Sequence, residues 1–262
     1  MELGLTGKVA IVGGSSRGIG KAIALALAHE GCDVAICARG EDELKTTAEE
    51  IRSQTGARVL PLVCDMSSYD DIQRLVRETA ETFGRIDIVV NNAGGPPPGT
   101  FDDFSEEEWQ KAIDQNFLSA VRTTREALPH LRRQGGRVIN ITSVAVKQPI
   151  DSLILSNAVR LGVVGMAKTL SRQVAKDGIT VNNVCPGNIA TQRLLSLFEA
   201  RAQREGLPFQ EVLEEEESRT PTGALGDPAD VAALVVFLAS NQARYISGAT
   251  IQVDGGSTTA VF

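Results

Sequence analysis

Val9-Ala10-Ile11-Val12-Gly13-Gly14-Ser15-Ser16-Arg17-Gly18-Ile19-Gly20 is the stretch on which the fold turns. A short apolar run of strand character leads straight into the glycines, and Ala22, Ile23, Leu25 and Ala26 then continue as an apolar helix. Glycines here allow a tight turn and let the backbone approach a pyrophosphate. The free N–H groups and dipole at the helix start favour its charge. The Gly-x-x-x-Gly-x-Gly spacing alone is weakly specific. A strand before it, a helix after it and a position at the start of the domain make it a dinucleotide cradle, with Gly14, Ser15, Ser16, Arg17, Gly18, Ile19 and Gly20 as candidate contacts.

The same rhythm continues outward. Apolar, β-branched runs predict strands at Val9-Val12, Asp33-Cys37, Arg58-Val63, Ile86-Val90, Gly136-Ile141, Thr180-Cys185 and Thr250-Val253. Helical patterns fill the gaps at Gly18-Glu30, Glu41-Gln54, Tyr69-Phe83, Ser105-Arg133, Leu153-Lys176 and Asp227-Ala239. This alternation predicts an α/β fold in a single domain over residues 1–262, a Rossmann-type doubly wound parallel sheet of about seven strands with helices on both faces. The charged, partly helical segment 192–219 follows a strand end, where such sheets bind ligands, and is a candidate substrate lid. Its run Glu214-Glu217 reads as a solvated helix face.

Bulk properties exclude several classes. A formal net charge of -7 on 262 residues supplies no basic surface for nucleic acid. The start, Met1-Glu2-Leu3-Gly4-Leu5-Thr6-Gly7-Lys8, lacks the basic end and apolar run of a signal peptide, and no membrane-length apolar stretch follows. A soluble, cytoplasmic protein is expected. Cys32, Cys37, Cys64 and Cys185 lack metal-ligand spacing and read as buried thiols, and with only His29 and His130 no metal site is expected.

The end of the second strand decides which dinucleotide binds. An acid there would grip a ribose 2'-hydroxyl, whereas an arginine accommodates a 2'-phosphate. Ala38-Arg39-Gly40 offers Arg39, and Arg17 supplies a second guanidinium, so NADP(H) is expected over NAD(H).

Further landmarks are Asn91-Asn92-Ala93-Gly94, Asn116, Ser143, Pro186-Gly187-Asn188-Ile189-Ala190-Thr191 and Val253-Asp254-Gly255-Gly256. With the glycine loop, this set resembles the short-chain dehydrogenase/reductase family across essentially the whole chain, most closely its 3-oxoacyl-acyl-carrier-protein reductase-like branch. The resemblance implies that Asp65 and Met66 meet the adenine and that Asn92, Ala93 and Gly94 pass under its ribose. It implies further that Pro186, Gly187, Ile189 and Thr191 cover the nicotinamide side. It also implies a homotetramer, or a homodimer. Gly13 stands where the family usually has threonine, which is expected to remove a side-chain contact toward Asn91-Asn92.

The chain departs from the family where the chemistry is done. The family's Tyr-x-x-x-Lys pair, counted forward from Ser143 or back from Pro186-Gly187, falls on Ser156 and Arg160. The only tyrosines are Tyr69 and Tyr245, away from that register. The resemblance implies that Ser143 polarises a carbonyl and Asn116 orders a water, leaving Ser156 and Arg160 as non-standard members of the site. Arg160 can hold the cofactor ribose and attract an oxyanion, but a guanidinium is a poor proton source. Lys147, in the loop after Ser143, is the best recruit for that duty.

Two readings follow. One is an NADP-dependent oxidoreductase interconverting a carbonyl and a secondary alcohol, acting on a small substrate for which an anionic group is a candidate, since arginine pairs with carboxylate or phosphate. The other is a dinucleotide-binding protein without hydride transfer: a sensor, a partner subunit, or a lyase or isomerase.

Overall fold

The computed structural model of the chain describes residues 2–261. Its seven strands are β1 (Val9–Val12), β2 (Asp33–Ala38), β3 (Val59–Val63), β4 (Ile88–Asn91), β5 (Gly136–Ile141), β6 (Ile179–Pro186) and β7 (Thr250–Val253). They pair in parallel in the order β3-β2-β1-β4-β5-β6-β7. The order reverses at β1, so a crevice opens outside the carboxyl ends of β1 and β4.

Both faces of this sheet are covered, which is why its strands read as unbroken apolar runs. Ala10, Val12, Val34, Ile36, Ile88, Val90 and Ile139 point into one core against α1 (Gly18–His29), α2 (Glu41–Thr55) and α9 (Pro228–Ala239). Ile11, Ala35, Cys37, Val89, Val138 and Val181 point into the other, against α3 (Tyr69–Phe83), α5 (Ser119–Leu131) and α6 (Ile154–Gln173). The result is a single-domain Rossmann fold, and all four cysteines are buried thiols. Among the described residues no helix is long and apolar enough to cross a membrane.

Two expected segments resolve differently. The single helix expected over Ser105–Arg133 is instead α4 (Glu106–Ile113), a turn of π-helix at Asp114–Leu118, and α5. A π turn inserts one residue into the helical ladder and re-aims the side chains around it, here Asn116. The segment 192–219 forms α7 (Gln192–Glu205) and α8 (Phe209–Ser218), closed on each other through Phe198, Ala202 and Val212. Glu215 and Glu216 are not a purely solvated face: both pair with Arg201 on α7 and with Arg219, and the Glu216 side chain is only 14% exposed.

A ladder of side-chain amides crosses four strands, from the last residue of β4 to the first of β7. Asn91 Nδ2 donates to Asn140 Oδ1 at 2.8 Å, Asn140 Nδ2 to Asn183 Oδ1 at 2.9 Å, and Asn183 Nδ2 to Thr250 Oγ1 at 3.0 Å. These residues are direct register partners across β4, β5, β6 and β7, so their side chains share one face. The first two bonds are buried and the third partly so, and an unpaired buried amide is expensive. Asn140→Ala removes two of them and strands the side-chain oxygen of Asn183, while Asn91 Nδ2 keeps its bond to Thr124 Oγ1. Urea unfolding is expected to give a loss of about 2–4 kcal/mol, and a loss below about 0.5 kcal/mol would deny the ladder a structural role.

Candidate active site

The glycine loop between β1 and α1 has the shape of a phosphate cradle. Gly14 and Gly18 lie in the left-handed region, with φ of 54° and 56°. A Cβ on Gly20 would stand 2.2 Å from Gly14 O, so the loop folds over its own helix start. At Gly13 the expected loss of a contact is corrected. A Cβ there would stand 2.4 Å from Asn92 O, leaving no room for a side chain, and Asn92 Nδ2 fastens the loop from the other side by donating to Gly13 O (2.9 Å) and Gly14 O (3.2 Å). Ser15 is buried, its hydroxyl donating to Val12 O and accepting from Cys37 N. Ser16 and Arg17 therefore carry the loop's outward polar side chains.

Arg39 is exposed at the end of β2 and has no ion pair among the described residues. Arg17, expected beside it, instead reaches Glu43 (3.5 Å) and Gln192 (3.4 Å), contacts long and exposed enough to be easily exchanged. Asp65 follows β3 with one carboxylate oxygen taken by Ser67, and Met66 is buried against Cys37 and Cys64. Ala93 and Gly94 follow β4 beside the loop. Pro186 closes β6, Gly187 packs on Asp254, and Ile189 is buried next to Gly226. Thr191 caps α7, and its methyl lies 3.3 Å from the point a Cβ on Gly18 would occupy. Of these residues, Ala93 and Thr191 lie in contact with the glycine loop.

Ser143 stands two residues past β5, its Oγ accepting from Ala145 N at 3.2 Å. Opposite it, α6 carries Ser156 and Arg160 one turn apart, 6% and 9% exposed. Arg160 Nη1 donates to Ile141 O (3.0 Å) and Thr142 O (3.1 Å), so the guanidinium is pinned to the end of β5. No carboxylate pairs with it among the described residues. Burial, and then the charge of Arg193, push its pKa down to about 10, which still leaves a cation at neutral pH.

Asn116 is also buried, and Nδ2 donates weakly to Ala112 O at 3.4 Å. Its Oδ1 and that of Asn91 have no protein partner. Asn91, Asn116, Asn140, Thr142 and Arg160 line a cavity with about 10 Å³ open to the centre of a water molecule, room for one. The two free acceptors and the guanidinium are the polar partners such a water needs.

Neither tyrosine enters the cleft. Tyr69 donates to Glu126 Oε1 at 2.6 Å between α3 and α5, and Tyr245 is fully exposed before β7. Lys147 is half-buried just beyond Ser143. Burial pushes the Cys185 thiol up, opposed by its hydrogen bond with Thr142 and by the charges of Lys147 and Arg160. Sequence reasoning missed Arg193. It sits in the first turn of α7 and donates from Nη2 to Pro96 O at 2.8 Å. Its place two residues past Thr191 was the available signal.

A family model described as enoyl-(acyl carrier protein) reductase matches residues 14–258. The chain belongs to the short-chain dehydrogenase/reductase family. As a member, it is 37% identical over 254 residues to a D-beta-hydroxybutyrate dehydrogenase of Cupriavidus necator, covering 96% of this chain and 98% of that one. It is 34% identical over 251 residues to a 3-oxoacyl-(acyl-carrier-protein) reductase of Staphylococcus epidermidis, covering 95% and 98%. Among solved structures it superimposes with a TM-score of 0.96, at 32% identity and over 100% of both chains, on L-sorbose reductase from Gluconobacter frateurii complexed with NADPH and L-sorbose.

A buried cation without a carboxylate costs stability that an apolar side chain of similar length avoids. Arg160→Met is therefore expected to raise stability by about 1 kcal/mol, or about 2–4 °C in melting temperature for a chain of this size. A fall in melting temperature would mean that the two carbonyl contacts outweigh the desolvation.

Proposed function

We propose that this chain is an NADP(H)-dependent oxidoreductase interconverting a carbonyl and a secondary alcohol, 3-oxoacyl reductase-like, with Ser156 and Arg160 where the family carries tyrosine and lysine. The observation that carries the reading is Arg160, buried on α6 and pinned to the carbonyls of Ile141 and Thr142 just before Ser143. NADP(H) preference rests on the free guanidinium of Arg39 at the end of β2, with Arg17 as a second guanidinium in the glycine loop, and on the NADPH bound by the sorbose reductase.

When bound, the nicotinamide supplies or accepts the hydride. The residues of this chain manage charge and protons. Gly14, Ser16, Arg17, Gly18, Ile19 and Gly20 hold the pyrophosphate from the backbone, with Ser15 bracing the loop. Asp65, Met66, Asn92, Ala93 and Gly94 border the adenosine side, and Pro186, Gly187, Ile189 and Thr191 the nicotinamide side. Ser143 Oγ donates to the substrate oxygen, and Arg160 stabilises the developing oxyanion and holds the ribose. Asn116 orders the water in the small cavity. Lys147 is the recruited proton donor, because serine and arginine are both poor acids near neutral pH.

The substrate is a small carbonyl or hydroxy compound, and the uncompensated charge of Arg160 favours an anionic one. We also propose a cytoplasmic homotetramer, or homodimer; Leu161, 52% exposed on the outer side of α6, suits a helix-to-helix contact. The absence of a tyrosine from the cleft favours the second reading, a dinucleotide-binding protein without hydride transfer.

Mixing the protein with NADPH and a panel of 3-oxoacyl thioesters, diketones, quinones and sugar ketones is expected to give decay of the reduced-nicotinamide absorbance with at least one class. Binding of NADPH without decay on any of them would favour the second reading. On the accepted substrate, Ser143→Ala is expected to lower kcat by about 10²- to 10³-fold, and Lys147→Gln by about 10²- to 10⁴-fold. Arg39→Asp is expected to turn cofactor preference toward NADH. An unchanged ratio of the two kcat/KM values would remove Arg39 from the 2'-phosphate site.

A further inference from the structure

Two guanidiniums converge on the same point of the cleft. A Cβ on Gly95 would lie 3.2 Å from Arg160 Nη2 and 3.4 Å from Arg193 Nη2. One head group comes from the buried face of α6 and the other from the first turn of α7. The loop between them, Gly95-Pro96-Pro97-Pro98-Gly99, is fixed at both ends. Arg193 holds Pro96 O, and Gly99 N donates to Ser152 O at 2.7 Å while Ile154 N donates to Gly99 O at 3.4 Å. Gln115 adds a third N–H group, its Nε2 lying 3.3 Å from where a Cβ on Gly94 would stand.

No acid balances these charges. Arg160 and Arg193 form no ion pair among the described residues, whereas Arg85 pairs with Asp87 and Arg122 with Asp114. Arg160 spends Nη1 on two carbonyls and Arg193 spends Nη2 on one, which leaves Arg160 Nη2 and Arg193 Nη1 without a protein acceptor. Arg160 lowers no energy by lying buried beside a second cation. The arrangement is unfavourable until an anion enters, and it then offers two forks of charge-assisted donors.

We propose that Arg160 and Arg193 form a clamp for the carboxylate of an oxo acid substrate, or of the hydroxy acid it becomes, with Gly95 keeping the space between them open. This rests on the carbonyl reductase reading and names its substrate class. Because Arg193 belongs to α7, the carboxylate also ties the 192–219 segment to the body of the site. Gly95 is thereby assigned a specificity role: any side chain at that position stands between the two head groups.

An anion for this pair has a second source, the diphosphate of the cofactor, and the test separates the two. Calorimetry on the protein saturated with NADP+, with which an oxo acid cannot be reduced, would use acetoacetate, 2-oxobutanoate and 4-oxopentanoate, each against its methyl ester, and binding of NADPH itself would be measured in parallel. At least one acid is expected to bind about tenfold or more tightly than its ester. Arg193→Met is expected to abolish that preference and Arg193→Lys to restore part of it, with NADPH affinity changed less than about twofold. Gly95→Val is expected to lose the preference with both arginines present, and its melting temperature checks that it is folded. Three results would overturn the clamp: no acid preferred over its ester in the wild type, a preference that survives Arg193→Met, or a loss of NADPH affinity in that variant, which would give the pair to the diphosphate. Since binding is read without turnover, a carboxylate preference accompanied by no hydride transfer would retain the clamp and reject the reductase.

Discussion

The amide ladder from Asn91 through Asn140 and Asn183 to Thr250 is the constraint on which the site depends. A parallel sheet leaves its strand ends to loops, and loops alone hold side chains loosely. Here β4, β5, β6 and β7 are bound in register by buried amides, and at β4 and β5 the bond falls at the carboxyl end, so the residues just beyond those two strands emerge from fixed points. Asn92 follows β4, and Ser143 stands two residues past β5. The same strand end presents Ile141 O and Thr142 O to Arg160. Precision at the crevice is thus carried by polar bonds inside the sheet, and the apolar cores on either side supply the bulk of the stability.

Arg160 is the least comfortable group in this arrangement. A lysine or tyrosine on α6 could present one polar atom to the crevice, whereas a guanidinium needs several acceptors at once. Two backbone carbonyls satisfy one edge of it and nothing acidic meets the other. Such a group is retained at a cost in stability, the pattern expected when a buried charge serves binding or catalysis. The π turn beneath Asn116 tells the same story on the opposite wall. It departs from the regular helical ladder and leaves a carbonyl oxygen turned toward a cavity for one water.

Most of the fold was legible because its strands are buried on both faces and its helices on one. Gly136–Ile141, Thr250–Val253 and Tyr69–Phe83 fall on the residues expected of them. The cradle was legible too, since glycine spacing is a backbone property. What the pattern could not carry was anything set by a partner distant in the chain. The π turn keeps the apolar spacing of an ordinary helix, so Ser105–Arg133 reads as one element. Glu215 and Glu216 look solvated until Arg201 is folded onto them. Gly13 reads as a lost contact until Asn92 O is found where its side chain would be. Arg193 reads as one charge among many on a charged helix, and only the closure of α7 over Pro96 turns it inward. The substitution at Ser156 and Arg160 was plain in the sequence; that the guanidinium is buried, held by β5 and left without an acid was not.

The central claim is that hydride reaches a carbonyl in a crevice that has no tyrosine. The most direct measurement is a single turnover with excess protein, NADPH deuterated at the transferable position and an oxo acid, followed by mass spectrometry of the product. Deuterium on the carbinol carbon, one atom for each NADPH oxidised, is the predicted result. NADPH that stays bound and reduced while no alcohol gains deuterium would contradict the account and leave a dinucleotide-binding protein in its place.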